Sequence, residues 1–286
     1  PVAYYYEKDG YTHIPMHFAP EGAVFVVFTE GGGQAEHIVR VDRSGSPLSA
    51  AQSSSPRYPQ VGFEYAGTDV YAAVYDPGHY TVYWSNGSTS VAEAKRLPSE
   101  ITVGGDWSVR FDPDWGPKEA VIFPELISWT ESPEPLIRYY SGKAVYENAF
   151  DLDKDQIRGR KVLLDLGNVQ DVAVIRVNGH EFPVSWCSPY EVDITPYVRA
   201  GRNRLSVDVV NLWPNRLIGD GKLPPGERMT RSNISKYDAP DAEKYMRVSG
   251  LLGPVRVKFF EWVKITPQDK NCLLYTSPSP RDRSLS

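Results

Sequence analysis

The amino-acid sequence predicts an all-β protein, a small β-sandwich followed by a larger sandwich of jelly-roll type. Three observations predict it. Short apolar segments alternate with polar residues at period two, as in Leu205, Val207 and Val209. Turn-forming dipeptides such as Asn178-Gly179 separate them. Tyr (18) and Trp (7) are plentiful, while Gly (23) and Pro (24) punctuate the chain at short intervals, a mixture that suits strands and tight connections better than long helices.

The elements follow in order. Residues 23–28 (AVFVVF) form an apolar run after Pro20 and fit a buried strand, and Ile38 to Val41 supply another. Residues 44–55 are rich in Ser and Ala and read as a loop. Residues 70–75 and 79–84 flank Asp76-Pro77-Gly78, a turn signal that predicts a hairpin. Residues 91–95 fit a short helix or strand. Leu97-Pro98 marks the joint, giving a first domain over 1–97 and a second over 98–266.

In the second domain, residues 107–111 alternate as a strand, and residues 126–135 form a polar connection in which Trp129 plugs one end of the sandwich. Strands follow through Val145, Tyr146 and Phe150, then over 162–166 and 172–177. Asn178-Gly179 turns the chain into a strand over 182–186, and Val192, Asp193 and Ile194 form the next. Gly201-Arg202-Asn203 is a turn before the strand of Leu205, Val207 and Val209. Residues 211–241 read as a long loop, and such loops inside compact domains are functional or disordered. Residues 255–259 close the sandwich.

Composition narrows the function. The net charge of −5 argues against nucleic acid, which asks for a basic face. No segment approaches the roughly 18 apolar residues of a membrane span. Only Cys187 and Cys272 are present, too few for a thiolate metal cluster, and no native disulfide is expected. Residues 272–282 (CLLYTSPSPRD) match the translation of a sequencing-library adapter, so 267–286 is expected to be a disordered tail, foreign from 272 onward. Beginning at Pro1, the chain is expected to be a fragment.

The candidate binding residues gather near one loop. Trp213, Asn215, Arg216 and Asp220 offer what a sugar asks for: an aromatic face for its C–H surface, with amide, guanidinium and carboxylate for its hydroxyls. The alternative is that Arg216 and Asp220 pair to brace the loop, or that the loop packs on another domain. Trp186 and Tyr190 approach the same end, with edge packing as their alternative. The acids Asp112 and Asp114, Glu125 and Glu131, and Asp151, Asp153 and Asp155 lie in turn-like contexts and read as solvated, so no catalytic residue is assigned. The last three have calcium-loop spacing but lack the Gly and terminal Glu of an EF-hand. His13 and His17 flank Pro15, which rules out a helical metal pair.

Several segments occur in one order: GGDWSVRFDPDWGP, ELISWTESPEPLIRYYSGKAVYENAFDL, LDLGNVQDVAVIRVNGH, SPYEVDITPYVRAGRNRLSVDVVNLWPNRLIGD and SGLLGPVRVKFF. Together they resemble the C-terminal galactose-binding-like domain of bacterial α-L-rhamnosidases of glycoside hydrolase family 106. That domain is itself similar to the sugar-binding domain of family 2 enzymes. Upstream, IPMHFAPEGAVFVVF resembles the sandwich that joins it to the catalytic barrel. The resemblance implies a periplasmic or secreted bacterial enzyme acting on rhamnose-containing glycans, whose (β/α)8 barrel lies N-terminal to Pro1. Its catalytic carboxylates and calcium would lie in that barrel. For this chain it implies no cofactor, with a structural calcium still compatible with the galactose-binding-like fold. A free-standing carbohydrate-binding module and a purely structural interdomain module are the alternatives.

Overall fold

The computed structural model describes residues 2–16, 18, 24–28, 36–48 and 58–267. Residues 268–286 of the expected tail, including the adapter-like part from 272, and residues 49–57, which take in the second half of the Ser-rich loop, lie outside them, as do His17 and Ala23. The architecture is all-β, as the sequence predicts.

Two six-stranded sheets dominate. The first runs, in spatial order, Val121–Phe123, Trp107–Phe111, Lys143–Leu152, Gly201–Val210, Val172–Val177 and His180–Glu181. The second runs Glu191–Asp193, Arg160–Asp165, Arg256–Ile265, Asp69–Val74 and Val61–Ala66, with Ile101–Thr102 joining the start of Arg256–Ile265. A four-stranded sheet (Ser46–Pro47, Ile38–Arg43, Gly78–Trp84, Thr89–Ala94) completes the smaller sandwich.

The long strands form because one face of each is buried. In Lys143–Leu152, Ala144, Tyr146, Phe150 and Leu152 are buried, and in Gly201–Val210 so are Asn203, Leu205, Val207 and Val209. The two pair antiparallel over their full length, Lys143 opposite Val210 and Leu152 opposite Gly201. A one-residue slip would turn each apolar set to solvent, which fixes the register.

Two buried apolar clusters result. One contains Trp107, Trp129, Tyr146, Leu164, Ile175 and Val257; the other contains Val41, Val74, Tyr80, Trp84 and Ile265. The strand Arg256–Ile265 serves both. Its first half pairs with Arg160–Asp165 and its second half with Asp69–Val74, and Glu261 stands in both ladders. Hydrogen-bonded sheet thus runs across the joint expected at Leu97-Pro98, and the smaller cluster takes Ile265 from beyond it.

Several local expectations are corrected. Asp69–Val74 and Gly78–Trp84 are strands, but they do not form a hairpin. The first pairs with Val61–Ala66 and Arg256–Ile265, the second with Ile38–Arg43 and Thr89–Ala94. The N–H groups of Tyr75 and Asp76 both donate to the Gln60 carbonyl at 3.0 Å, and the bend carries the chain across the core to the facing sheet. Val24 to Phe28 is not a buried strand: Phe25 is fully exposed, Phe28 82% so, and no ladder forms there. A strand needs a backbone partner, and none is offered to this run among the described residues.

The Asn178-Gly179 hairpin forms as expected, with φ of 50° and 88° at its two central residues. Its return strand stops at Glu181; the Phe182 N–H still donates to the Ile175 carbonyl at 2.9 Å, Pro183 has no N–H to continue the ladder, and the Ser185–Ala173 bridge follows. Gly201 opens its strand rather than forming a turn; the chain reverses earlier, through the short 3-10 helix Thr195–Tyr197. Gly167 sits where two connections nearly touch: a Cβ there would lie 2.5 Å from the Gly253 carbonyl group.

Candidate functional site

The strands Lys143–Leu152 and Gly201–Val210 deliver two short segments, Tyr140-Ser141-Gly142 and Asn211-Leu212-Trp213, to one end of the larger sandwich. Asn211 ties them together. Its amide donates to the Tyr140 carbonyl (3.0 Å) and to Ser249 Oγ (2.9 Å), and its oxygen accepts from the Gly142 N–H (2.9 Å). Ser141 Oγ donates to the Leu212 carbonyl and accepts from the Arg216 N–H.

Residues 214–221 form a helix, Pro214–Gly221, where the sequence reading placed a loop. Pro214 stands in the first turn, where a missing N–H costs nothing. Ile218 buries the inner face. Gly219 packs directly under Tyr139, whose Cβ would lie 2.5 Å from an added Cβ. In an open helix Gly→Ala stabilises by about 0.8–1 kcal/mol. Here the clash reverses the sign, and we expect Gly219→Ala to destabilise the fold by about 1–3 kcal/mol, read as a lower thermal midpoint.

The structure brings three predicted site residues together as a buried scaffold. Asn215 clamps Arg247 through both backbone groups, donating to its carbonyl and accepting from its N–H, each at 2.7 Å. Arg216 donates to the Trp115 carbonyl. Arg216 Nη1 lies 3.7 Å from Asp220 Oδ1, with both side chains at least 96% buried. Asp220 Oδ2 accepts from the N–H and hydroxyl of Thr230. Arg216 Nε and Asp220 Oδ1 are buried without a hydrogen-bond partner among the described residues. Burial holds the Arg216 pKa below the usual guanidinium value, against the opposing pull of Asp220. The bracing alternative describes this geometry.

Trp213, by contrast, is 53% exposed. Its ring stands edge-to-face with Trp115, 5.9 Å between centroids at 79°. Tyr190 is buried, and its hydroxyl donates to the Asp171 carbonyl. Trp186 is 73% exposed, just past the Ser185–Ala173 bridge.

The sequence reading missed Trp115, Asp171 and Arg247. Asp171 is half-buried, and burial raises its pKa above the ordinary 3.8, although the Leu212 N–H and the Arg247 charge pull it down. A carboxyl whose folded pKa is raised binds its proton more tightly in the native state, so its contribution to stability falls as pH rises from about 3.8 through the folded value. We expect Asp171→Asn to flatten that part of the pH–stability curve, measured by urea denaturation from below to well above the ordinary carboxylate range.

Of the acids considered for calcium, Asp151 faces Arg202 at 3.3 Å, while the Asp153 backbone N–H donates to Gln156 at 2.8 Å and the Asp155 backbone carbonyl accepts from Arg160. Among the described residues, no three His, Cys, Asp or Glu side chains converge as a metal would require. No helix there is long and apolar enough to cross a membrane.

Comparison with known proteins places this geometry in context. The model of the family described as glycosyl hydrolases family 2, sugar binding domain, matches residues 74–250. A putative β-glucuronidase of Formosa agariphila is 32% identical, over 83% of this chain and 22% of its own length. Among solved structures, a rhamnosidase from Novosphingobium sp. PP1Y superposes with a TM-score of 0.50 at 25% identity, over 77% of this chain and 25% of its own. The chain thus spans between a fifth and a quarter of these relatives. With an all-β sandwich, an aromatic–polar end and a family match over residues 74–250, the chain belongs to the sugar-binding domain family of the family 2 glycosyl hydrolases.

Proposed function

We propose that this chain is the non-catalytic C-terminal portion of an α-L-rhamnosidase-like glycoside hydrolase of the family 106 kind, periplasmic or secreted. In this reading it supports a barrel encoded upstream and presents its Trp213 end to rhamnose-containing glycans. The observation that carries the reading is how the acids at that end are used. Glycoside hydrolysis normally needs two opposed carboxylates, about 5–9.5 Å apart. Asp220, the buried acid of that end, is engaged by Arg216 and Thr230 and not by a second carboxylate. The superposition on the Novosphingobium rhamnosidase supports this assignment.

A second reading, a β-glucuronidase parent, is favoured by the 32% identity to the Formosa protein. The test is hydrolysis by the full-length protein from the source locus. Release of nitrophenol from 4-nitrophenyl α-L-rhamnopyranoside supports the first reading. Release only from the β-D-glucuronide assigns the second and overturns the first.

A further inference from the structure

We propose that the joint between the two sandwiches is a closed latch, held by Lys161 and Lys258, so that both units move and unfold as one body. The latch does not depend on the proposed function.

Sandwiches joined within one chain move relative to each other by default, unless the interface between them is large and apolar. Here the chain crosses the joint twice, through residues 95–100 and along Arg256–Ile265. Pairing along that strand is staggered. Arg160–Asp165 covers residues 256–261 on one side and Asp69–Val74 covers residues 261–265 on the other, so the two ladders share only Glu261. Such an overlap leaves the backbone room to bend, and the stiffness must come from side chains. One face of the strand turns Val257 and Phe259 into the larger core and Ile265 into the smaller. Lys258, Phe260 and Trp262 therefore stand on the opposite face, since side chains alternate along a strand.

Two lysines cross the joint on that face. Lys161, from Arg160–Asp165, donates to both oxygens of Glu64, from Val61–Ala66, at 2.7 Å each. Its ammonium also lies 3.6 Å from Asp193 and 4.7 Å from the centroid of the Trp262 ring, which stacks on Tyr71. Lys258 donates to Asp165 at 2.7 Å and to the Tyr58 hydroxyl at 3.2 Å, and Tyr58 in turn donates to Glu191. The Tyr58 ring stacks on Tyr75 at 5.0 Å and tilts against Phe260 at 5.2 Å. Tyr58 and Glu64 belong to the smaller unit, whereas both lysines and their aspartates belong to the larger.

The lysine side chains are only 10% and 13% exposed, and that of Asp165 4%. A buried ion pair adds little net stability over an apolar substitute, but it tolerates few geometries, because a displaced strand leaves a charge without its partner. A bend at Glu261 draws Glu64 away from Lys161 and Tyr58 away from Lys258 at once. The latch therefore sets the coupling of the two units more than their total stability, and it makes the smaller sandwich a fixed mount for the larger.

The experiment is differential scanning calorimetry of the 286-residue chain, paired with native-state hydrogen exchange. The wild-type chain should melt in one transition with equal calorimetric and van't Hoff enthalpies. The most protected amides of Gly78–Trp84 and of Lys143–Leu152 should show protection factors within about threefold of each other. Tyr58→Phe combined with Glu64→Gln removes the smaller unit's half of the latch, and leaves Lys161 with Asp193 and Lys258 with Asp165. In that double variant the transition should split, with Gly78–Trp84 exchanging about tenfold faster and Lys143–Leu152 unchanged. Two transitions in the wild-type chain overturn the latch, and so does a folded double variant that still melts in one transition with matching enthalpies. Should the double variant not fold, the wild-type protection factors decide alone, and a difference above about tenfold between the two strands overturns the latch.

Discussion

Trp129→Ala is expected to destabilise the protein by about 3–5 kcal/mol, the range for removing a fully buried aromatic side chain. Trp129 is wholly buried at the end of the larger sandwich and packs edge-on against Phe111 and Tyr140. Its indole N–H donates to the Tyr146 hydroxyl at 2.6 Å, and the same hydroxyl accepts from the Leu251 N–H at 3.2 Å. One buried oxygen therefore joins the Trp129 connection, the central strand and Gly250–Gly253. Trp129→Phe keeps most of the ring but loses the donor, so it should cost about 1–3 kcal/mol. Urea denaturation of the two variants checks the order. Equal costs would show that the lost hydrogen bond accounts for the whole effect and that ring volume contributes nothing, whereas a costless Trp129→Phe would leave volume alone.

The buried Arg216–Asp220 pair carries the second large effect. Breaking a buried ion pair by removing one partner costs about 3–5 kcal/mol, because the other charge is left unpaired. The two halves should not be equal. Asp220→Ala leaves Arg216 only the Trp115 carbonyl and orphans the Thr230 N–H. Arg216→Met leaves Asp220 with both Thr230 donors, so it should cost less. The double variant should lose less than the sum of the singles, with a coupling of about 0.5–3 kcal/mol. Strict additivity in the cycle would mean that the 3.7 Å approach contributes no interaction and that the helix is held by Asn215 and Ile218 alone.

These residues also show how far sequence reasoning reached. The strands around Tyr146 and Val207 were legible because a half-buried strand must alternate, and the Asn178-Gly179 turn because both central residues need positive φ. The helix Pro214–Gly221 was not, since Pro214, Gly219 and Gly221 all read as breakers. Pro is tolerated in a first turn, and Gly219 is required by the ring of Tyr139 above it. The polar set of Asn215, Arg216 and Asp220 has the chemistry of a sugar rim, but residue type does not say which way a side chain faces. Here the buried Ser249 and the half-buried Trp115 and Thr230 receive it. Asp171 and Arg247 were invisible because only the fold brings those separate segments to Leu212 and Asn215, respectively. The missed hairpin at Asp76-Pro77-Gly78 has a related cause. Turn chemistry specifies a bend, and pairing depends on which strand edges are already taken.

As proposed, this sandwich serves a glycosidase without carrying its catalytic groups. The most direct test compares hydrolysis of 4-nitrophenyl α-L-rhamnopyranoside by the purified 286-residue chain and by the full-length protein from the same locus. The account predicts turnover by the full-length protein and none above the buffer blank for the chain alone. Turnover by the chain that co-purifies with it and disappears on Asp171→Asn would contradict the account and make this end of the sandwich a catalytic site.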